Sequence, residues 1–212
     1  MAYFRDRDDA AEQLVAMLPE EIGPDWLVLA LPRGGVPIGA AIARHLGAPL
    51  DLLIVRKVGA PGDPELALGA VTGPGLEALT INEEVRALLH LSKAEVARLA
   101  APAVEAIAAR RALWTAHRTE EPLAGRRVLV VDDGIATGTT LRAALAAIRQ
   151  QGAAQIGVAV PVALGSSLEA LGPDLSPVVC PHPDAWCPGV GAAYQRFPQV
   201  PDEEVTRLQT EP

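Results

Sequence analysis

Apolar positions in this chain form short unbroken runs, and between them the spacing changes to that of helices. Trp26 to Leu31, Asp51 to Val55, Val128 to Val131 and Ile156 to Val162 read as buried strands, with Val178 and Val179 a further short one. Ala11, Leu14, Val15 and Leu18 sit at helical spacing within Asp8 to Leu18. Val36 to Leu46 reads as a helix stopped at Gly47, and Thr139 to Gln151 as one stopped at Gly152. Glu83 to Leu89 and Lys93 to Arg118 also read as helices. Ser92 and Glu95 provide a capping box for the second, and Pro102 is expected to kink or restart it. Continuously apolar strands that alternate with helices predict an α/β protein: a Rossmann-like parallel sheet with helices on both faces.

Two stretches break the pattern. Arg56 to Gly75 is rich in Gly and Pro and reads as a long loop, with Leu68 to Val71 a short strand inside it. Loops of that length in compact domains usually carry function. From Gly165 the chain is Pro-rich and less regular. No repeat or low-complexity linker appears, so a single domain over 1–212 is expected, with a core over about 1–175.

Composition narrows the function. Half of the residues are hydrophobic but aromatics make up only 3%, so the core must be built from Ala, Val, Leu and Ile. The net charge of -8 argues against a broad nucleic-acid or membrane surface, while leaving room for a local basic pocket. Two cysteines, Cys180 and Cys187, make no disulfide framework. The charged start, Met1 to Asp9, excludes a secretory signal, and no apolar run reaches membrane-span length, so a cytoplasmic protein is expected.

The densest chemistry lies in Val128-Leu129-Val130-Val131-Asp132-Asp133-Gly134-Ile135-Ala136-Thr137-Gly138-Thr139-Thr140. Two carboxylates at the end of a buried strand are costly without partners, and a ribose diol supplies them. Successive backbone N–H groups of Ile135 to Thr140 can wrap a phosphate, with Gly138 permitting close approach. Thr137, Thr139 and Thr140 add hydroxyls. The helix that follows points its N-terminus at the anion. The stretch reads as a site for a phosphorylated sugar with neighbouring hydroxyls. Neither a Walker loop nor a G-x-G-x-x-G fingerprint is present in this stretch.

Residues 128–140 resemble the phosphoribosyl-pyrophosphate motif of the type I phosphoribosyltransferases. The resemblance implies that fold, with a small C-terminal hood over about 176–212 and a mobile lid over about 58–76. It implies that Asp132 and Asp133 bind the ribose hydroxyls and lie near Mg²⁺, held mostly through substrate and water. It implies that Ala136, Thr137, Gly138, Thr139 and Thr140 bind the 5′-phosphate. Hypoxanthine and guanine members carry an acidic residue where this chain has Ala136, and a Ser-Tyr pair that its lid lacks; adenine and uracil members carry alanine.

Leu31-Pro32-Arg33-Gly34-Gly35 is similar to the family's pyrophosphate loop, with Arg33 and the N–H groups of Gly34 and Gly35 facing the diphosphate. Family members often hold a non-proline cis peptide here, which we place at Arg33–Gly34. Arg56 and Lys57, read as the end of the second strand, resemble cations that meet pyrophosphate; they also suit a solvated strand terminus. Lysine occurs only at 57 and 93. Glu65 is a further candidate for closing the lid. In the hood, Trp186 and Tyr194 are candidates to stack on a base, or core aromatics. Cys180, His182, Asp184 and Cys187 carry metal-capable side chains, but their spacing does not suit zinc. His45, His90 and His117 form no constellation. Across its length the chain resembles a branch of the family in which Phe4-Arg5-Asp6-Arg7, Arg56-Lys57-x-Gly59-Ala60-Pro61 and Tyr194-x-x-Phe197 recur together.

The implied function is Mg²⁺-dependent transfer of ribose 5-phosphate from phosphoribosyl pyrophosphate to a nitrogen nucleophile, such as a nucleobase, with release of pyrophosphate. Arg33 and Lys57 would stabilise the leaving group, and Asp132 and Asp133 the sugar. The alternative is a regulatory protein that senses the sugar diphosphate without chemistry. Family members are commonly dimers, so a homodimer is possible.

Overall fold

The computed structural model of the chain describes residues 2–73, 75–115 and 121–210. His117 and the expected end of the long helix at Arg118 lie outside the described residues. The chain divides into two compact units: Met1–Leu53 with Thr119–Gly138 and Gly152–Pro212, and Ile54–Arg118 with Thr139–Gln151.

The first unit is built on a five-stranded sheet. Strands β1 (Trp26–Ala30), β2 (Leu50–Leu52), β6 (Arg127–Val131), β7 (Gln155–Ala159) and β9 (Val178–Val179) lie in the order β2-β1-β6-β7-β9, and every pairing is parallel. β1 is buried along its whole length, and β6 is buried from Val128 to Val131, as continuous Val/Leu runs in a covered sheet require. Helix α1 (Arg7–Met17) packs on α2 (Gly35–Leu46), which lies against β1, β2 and β6 and is touched by α6 (Asp202–Thr210). Gly47 ends α2 at φ 63°, the left-handed C-cap position.

The expected strand from Ile156 to Val162 is two strands. β7 stops at Ala159, and β8 (Val162–Leu164) joins a separate parallel pair with β10 (His182–Ala185). Pro161 stands between them and has no N–H to continue the ladder.

The second unit overturns the long-loop expectation for 56–75. Strands β3 (Arg56–Ala60), β4 (Asp63–Val71) and β5 (Leu79–Ile81) form an antiparallel sheet in the order β3-β4-β5. Arg56 and Lys57 therefore open β3 rather than end β2. Helices α4 (Lys93–Trp114) and α5 (Thr139–Gln150) pack on this sheet, and α3 (Glu83–Leu88) touches β4. The capping box forms: Glu95 N–H donates to Ser92 Oγ, and Ser92 N–H to Glu95 Oε2. α4 runs unbroken through Pro102, which faces solvent, where the carbonyl it deprives of a donor can be hydrated. No helix among the described residues is long and apolar enough to cross a membrane.

Candidate functional site

The acidic loop is placed by sheet register. Ala30 pairs with Val131, so the loops after β1 and β6 leave neighbouring strands at the same edge. Leu31 N–H extends the ladder by donating to Val131 O over 2.8 Å. The two loops then touch. A Cβ built on Gly34 would lie 1.8 Å from Asp133 Oδ2, and one on Gly35 2.7 Å from Val131 O. Glycine at 34 is thus demanded by the carboxylate across from it.

Beyond the acid pair, the loop is tied into the small parallel pair. Ile135 N–H donates to Val162 O (2.8 Å), and Leu164 N–H donates to Ile135 O (2.9 Å). Ile135 is buried, while Ala136 and Thr137 are exposed. Gly138 turns at φ 71°, a backbone conformation that other residues seldom adopt, and α5 begins at Thr139.

Arg7 is the main partner of this loop. Its Nε and Nη2 both donate to Asp133 Oδ2, at 3.1 and 2.8 Å, and Nη1 donates to Pro198 O at 2.8 Å. The guanidinium carbon lies 3.9 Å from the centre of the Phe197 ring. Arg7 is 8% exposed. In a pair this buried, removing one partner costs about 3–5 kcal/mol, because the other charge is left without compensation.

Asp133 is also held through its backbone. Its N–H donates to Asp132 Oδ1 (2.8 Å), and the Tyr194 hydroxyl donates to its carbonyl (2.6 Å). Burial pushes the Asp132 carboxyl well above the usual carboxylate range, and the neighbouring Asp133 charge adds to it. Burial also raises Asp133, opposed by the hydrogen bonds and charge of Arg7. Burial likewise raises the Tyr194 phenol, which keeps it a hydroxyl donor.

The structure brings Arg33, Gly34, Gly35 and the Asp132–Gly138 loop together in the first unit. The cis peptide in this region is Pro32–Arg33, not Arg33–Gly34. Gly34 itself has helical angles (φ -62°, ψ -34°) as the cap of α2. Arg33 Nη1 lies 3.5 Å from Asp202 Oδ1 at the start of α6. Arg56 and Lys57 belong to the second unit, where both are exposed, as does Thr139 with Thr140 at the head of α5.

The two hood aromatics differ. Trp186 is 96% exposed. Tyr194 is buried, its ring centre 5.3 Å from that of Phe4 and 4.8 Å from that of Phe197. It is occupied as a packing and hydrogen-bonding residue. Val190–Ala193, just before Tyr194, is a 3₁₀ turn. His182 stacks on Tyr3 at 4.2 Å, and burial pushes the Cys180 thiol up to about 11. Among the described residues, no three or more His, Cys, Asp or Glu side chains are grouped to hold a metal.

Sequence reasoning assigned no role to Arg7, whose partner lies 126 positions away. Its signal was the joint recurrence of Phe4-Arg5-Asp6-Arg7 and Tyr194-x-x-Phe197, two segments that prove to pack on each other.

A family model for a phosphoribosyl transferase domain matches residues 4–175. A Mycobacterium tuberculosis protein, provisionally named a phosphoribosyl transferase, is 38% identical over 205 residues, or 97% of this chain. The chain spans about half the length of that relative, 46%. A crystal structure of a Thermus thermophilus protein is 39% identical, with a TM-score of 0.86, and the match covers 99% of this chain and 98% of that one. An orotate phosphoribosyltransferase from Xanthomonas axonopodis is 59% identical over 39 residues, 18% of this chain. With the acid pair at the end of β6 and the glycine turn that follows it, these matches show that the chain belongs to the phosphoribosyl transferase domain family.

Proposed function

We propose that the protein transfers ribose 5-phosphate from phosphoribosyl pyrophosphate to a nitrogen nucleophile and releases pyrophosphate. The observation that carries this is the acid loop: two adjacent carboxylates at a strand end, packed against the Gly34-Gly35 backbone, within a chain of this family. Asp132 and Asp133 accept hydrogen bonds from the ribose hydroxyls and steady the positive charge that grows on the sugar as the bond to pyrophosphate lengthens. The backbone from Ala136 to Thr140, with its threonine hydroxyls, takes the 5′-phosphate. Arg33 and the N–H groups of Gly34 and Gly35 take the leaving diphosphate. Arg56 and Lys57 are assigned to that anion by their motif alone. Trp186 is the exposed ring we assign to stacking on the acceptor base.

The donor set suits Mg²⁺, which favours one or two carboxylates plus substrate oxygens and waters over a protein cage. Asp132 and Asp133 would hold it, and when bound it supplies positive charge that neutralises the departing pyrophosphate.

The test is pyrophosphate release with phosphoribosyl pyrophosphate, Mg²⁺ and a panel of purines, pyrimidines and other nitrogen nucleophiles. At least one acceptor should give turnover, and Asp132→Asn and Asp133→Asn should lower kcat/KM by about 10²-fold or more. Tight donor binding with no release across the panel would replace the enzyme with a sensor. Unchanged donor affinity in both Asn variants would remove the acid pair from the site.

A further inference from the structure

We propose that Arg7 is a positioning residue for the sugar: its guanidinium holds Asp133 Oδ2 so that Oδ1 is the oxygen presented to the ribose. The inference rests on the reading that Asp133 binds ribose hydroxyls, and it adds a residue from the start of α1 to that site.

The geometry is over-determined. Two donors of the fork converge on one oxygen, at 3.1 and 2.8 Å. The third nitrogen is fixed by Pro198 O, and the guanidinium plane lies over Phe197. Rotation about the end of the side chain would break at least one of these contacts. The same Oδ2 presses on the open face of Gly34, so the carboxylate cannot swing that way. Oδ1 is the carboxylate oxygen that the Arg7 fork leaves unengaged. Meanwhile the Asp133 N–H is bound to Asp132 Oδ1, and its carbonyl takes the Tyr194 hydroxyl. Side chain and backbone are both immobilised, with one acceptor left over.

The alternative is that Arg7 only holds the fold together. That role predicts equal loss of every ligand. Positioning predicts selective loss of the sugar, because inorganic phosphate needs the glycine-threonine turn and not Asp133. Lysine tests the distinction cleanly: it keeps the charge but lacks the planar fork and the face that covers Phe197.

The experiment is calorimetric titration of ribose 5-phosphate and of inorganic phosphate into the full chain, as wild type, Arg7→Lys, Arg7→Met and an Arg5→Gln control. Arg5 is exposed and pairs with Asp9, away from the acid loop. Wild type and Arg5→Gln should prefer ribose 5-phosphate. Arg7→Lys should lower that preference by about tenfold while phosphate affinity holds. Arg7→Met should do at least as much if its thermal transition is intact; if it unfolds, Arg7→Lys decides alone. A preserved preference in Arg7→Lys, or a parallel loss of both ligands, overturns the proposal. A wild type that prefers neither ligand refutes the sugar-phosphate reading itself, a separate result.

Discussion

The loop after β6 and the strand that carries Arg56 and Lys57 hold charges by opposite means. Asp133 is held by Arg7, Tyr194, Asp132 and the bare face of Gly34. Arg56 and Lys57 stand exposed on β3, and only the alternate residues Val58 and Ala60 are buried. On the proposed function, the contrast follows from what each ligand group requires. A hydroxyl acceptor must be aimed, and aiming requires packing. A cation that screens a phosphate needs proximity and charge, which a long solvated side chain provides while keeping its hydration.

That comparison can be broken. Gly34→Ala should have the largest effect: the methyl must displace the Asp133 carboxylate, so turnover should fall by about 10²-fold. Turnover within a small factor of wild type would show that the carboxylate is not held as described. Lys57→Ala should be milder, raising the KM for phosphoribosyl pyrophosphate by about tenfold at low salt, and by less as ionic strength screens the contact. A KM that ignores both the substitution and salt would reduce Lys57 to a surface residue.

Smaller effects test each unit separately, Ser92 in the second and Cys180 in the first. Ser92→Ala removes the cap of α4 and should cost about 1 kcal/mol, read from the urea midpoint. An unchanged midpoint would mean that packing on β3 and β4 alone decides that helix. Smallest of all is a chemical difference. With its thiol raised to about 11, Cys180 stays protonated at pH 8 and should react with iodoacetamide more slowly than free cysteine; its labelling should rise as pH climbs toward that value. Rapid labelling at pH 8 would place the thiol in a wetter setting than its burial indicates.

The elements nearest the acid loop were the most legible in the sequence. β6 and α5 were each predicted to within one residue of their observed ends, since unbroken Val/Leu and a helical repeat leave little choice. In the antiparallel sheet, β3 was hidden for a compositional reason: its buried positions, Val58 and Ala60, are separated by Gly59, and small residues blur the alternation that marks a strand. Of that sheet only Leu68 to Val71 was legible, and it forms the end of β4. Gly69 is there because β5 runs so close that a Cβ would meet Thr80 O at 2.4 Å. Arg7 and the buried role of Tyr194 were out of reach for a different reason: contacts between chain ends carry no local period.

Gly34 and Asp133 also constrain how this protein can vary. A methyl at 34 needs the space that the carboxylate fills, and a glutamate at 133 would push its extra methylene toward the backbone at 34. Neither position can gain an atom while the other stays as it is. Two residues far apart in the chain thus limit each other's size: a library at 34 alone should return almost only glycine, and one at 133 alone should return no side chain larger than aspartate.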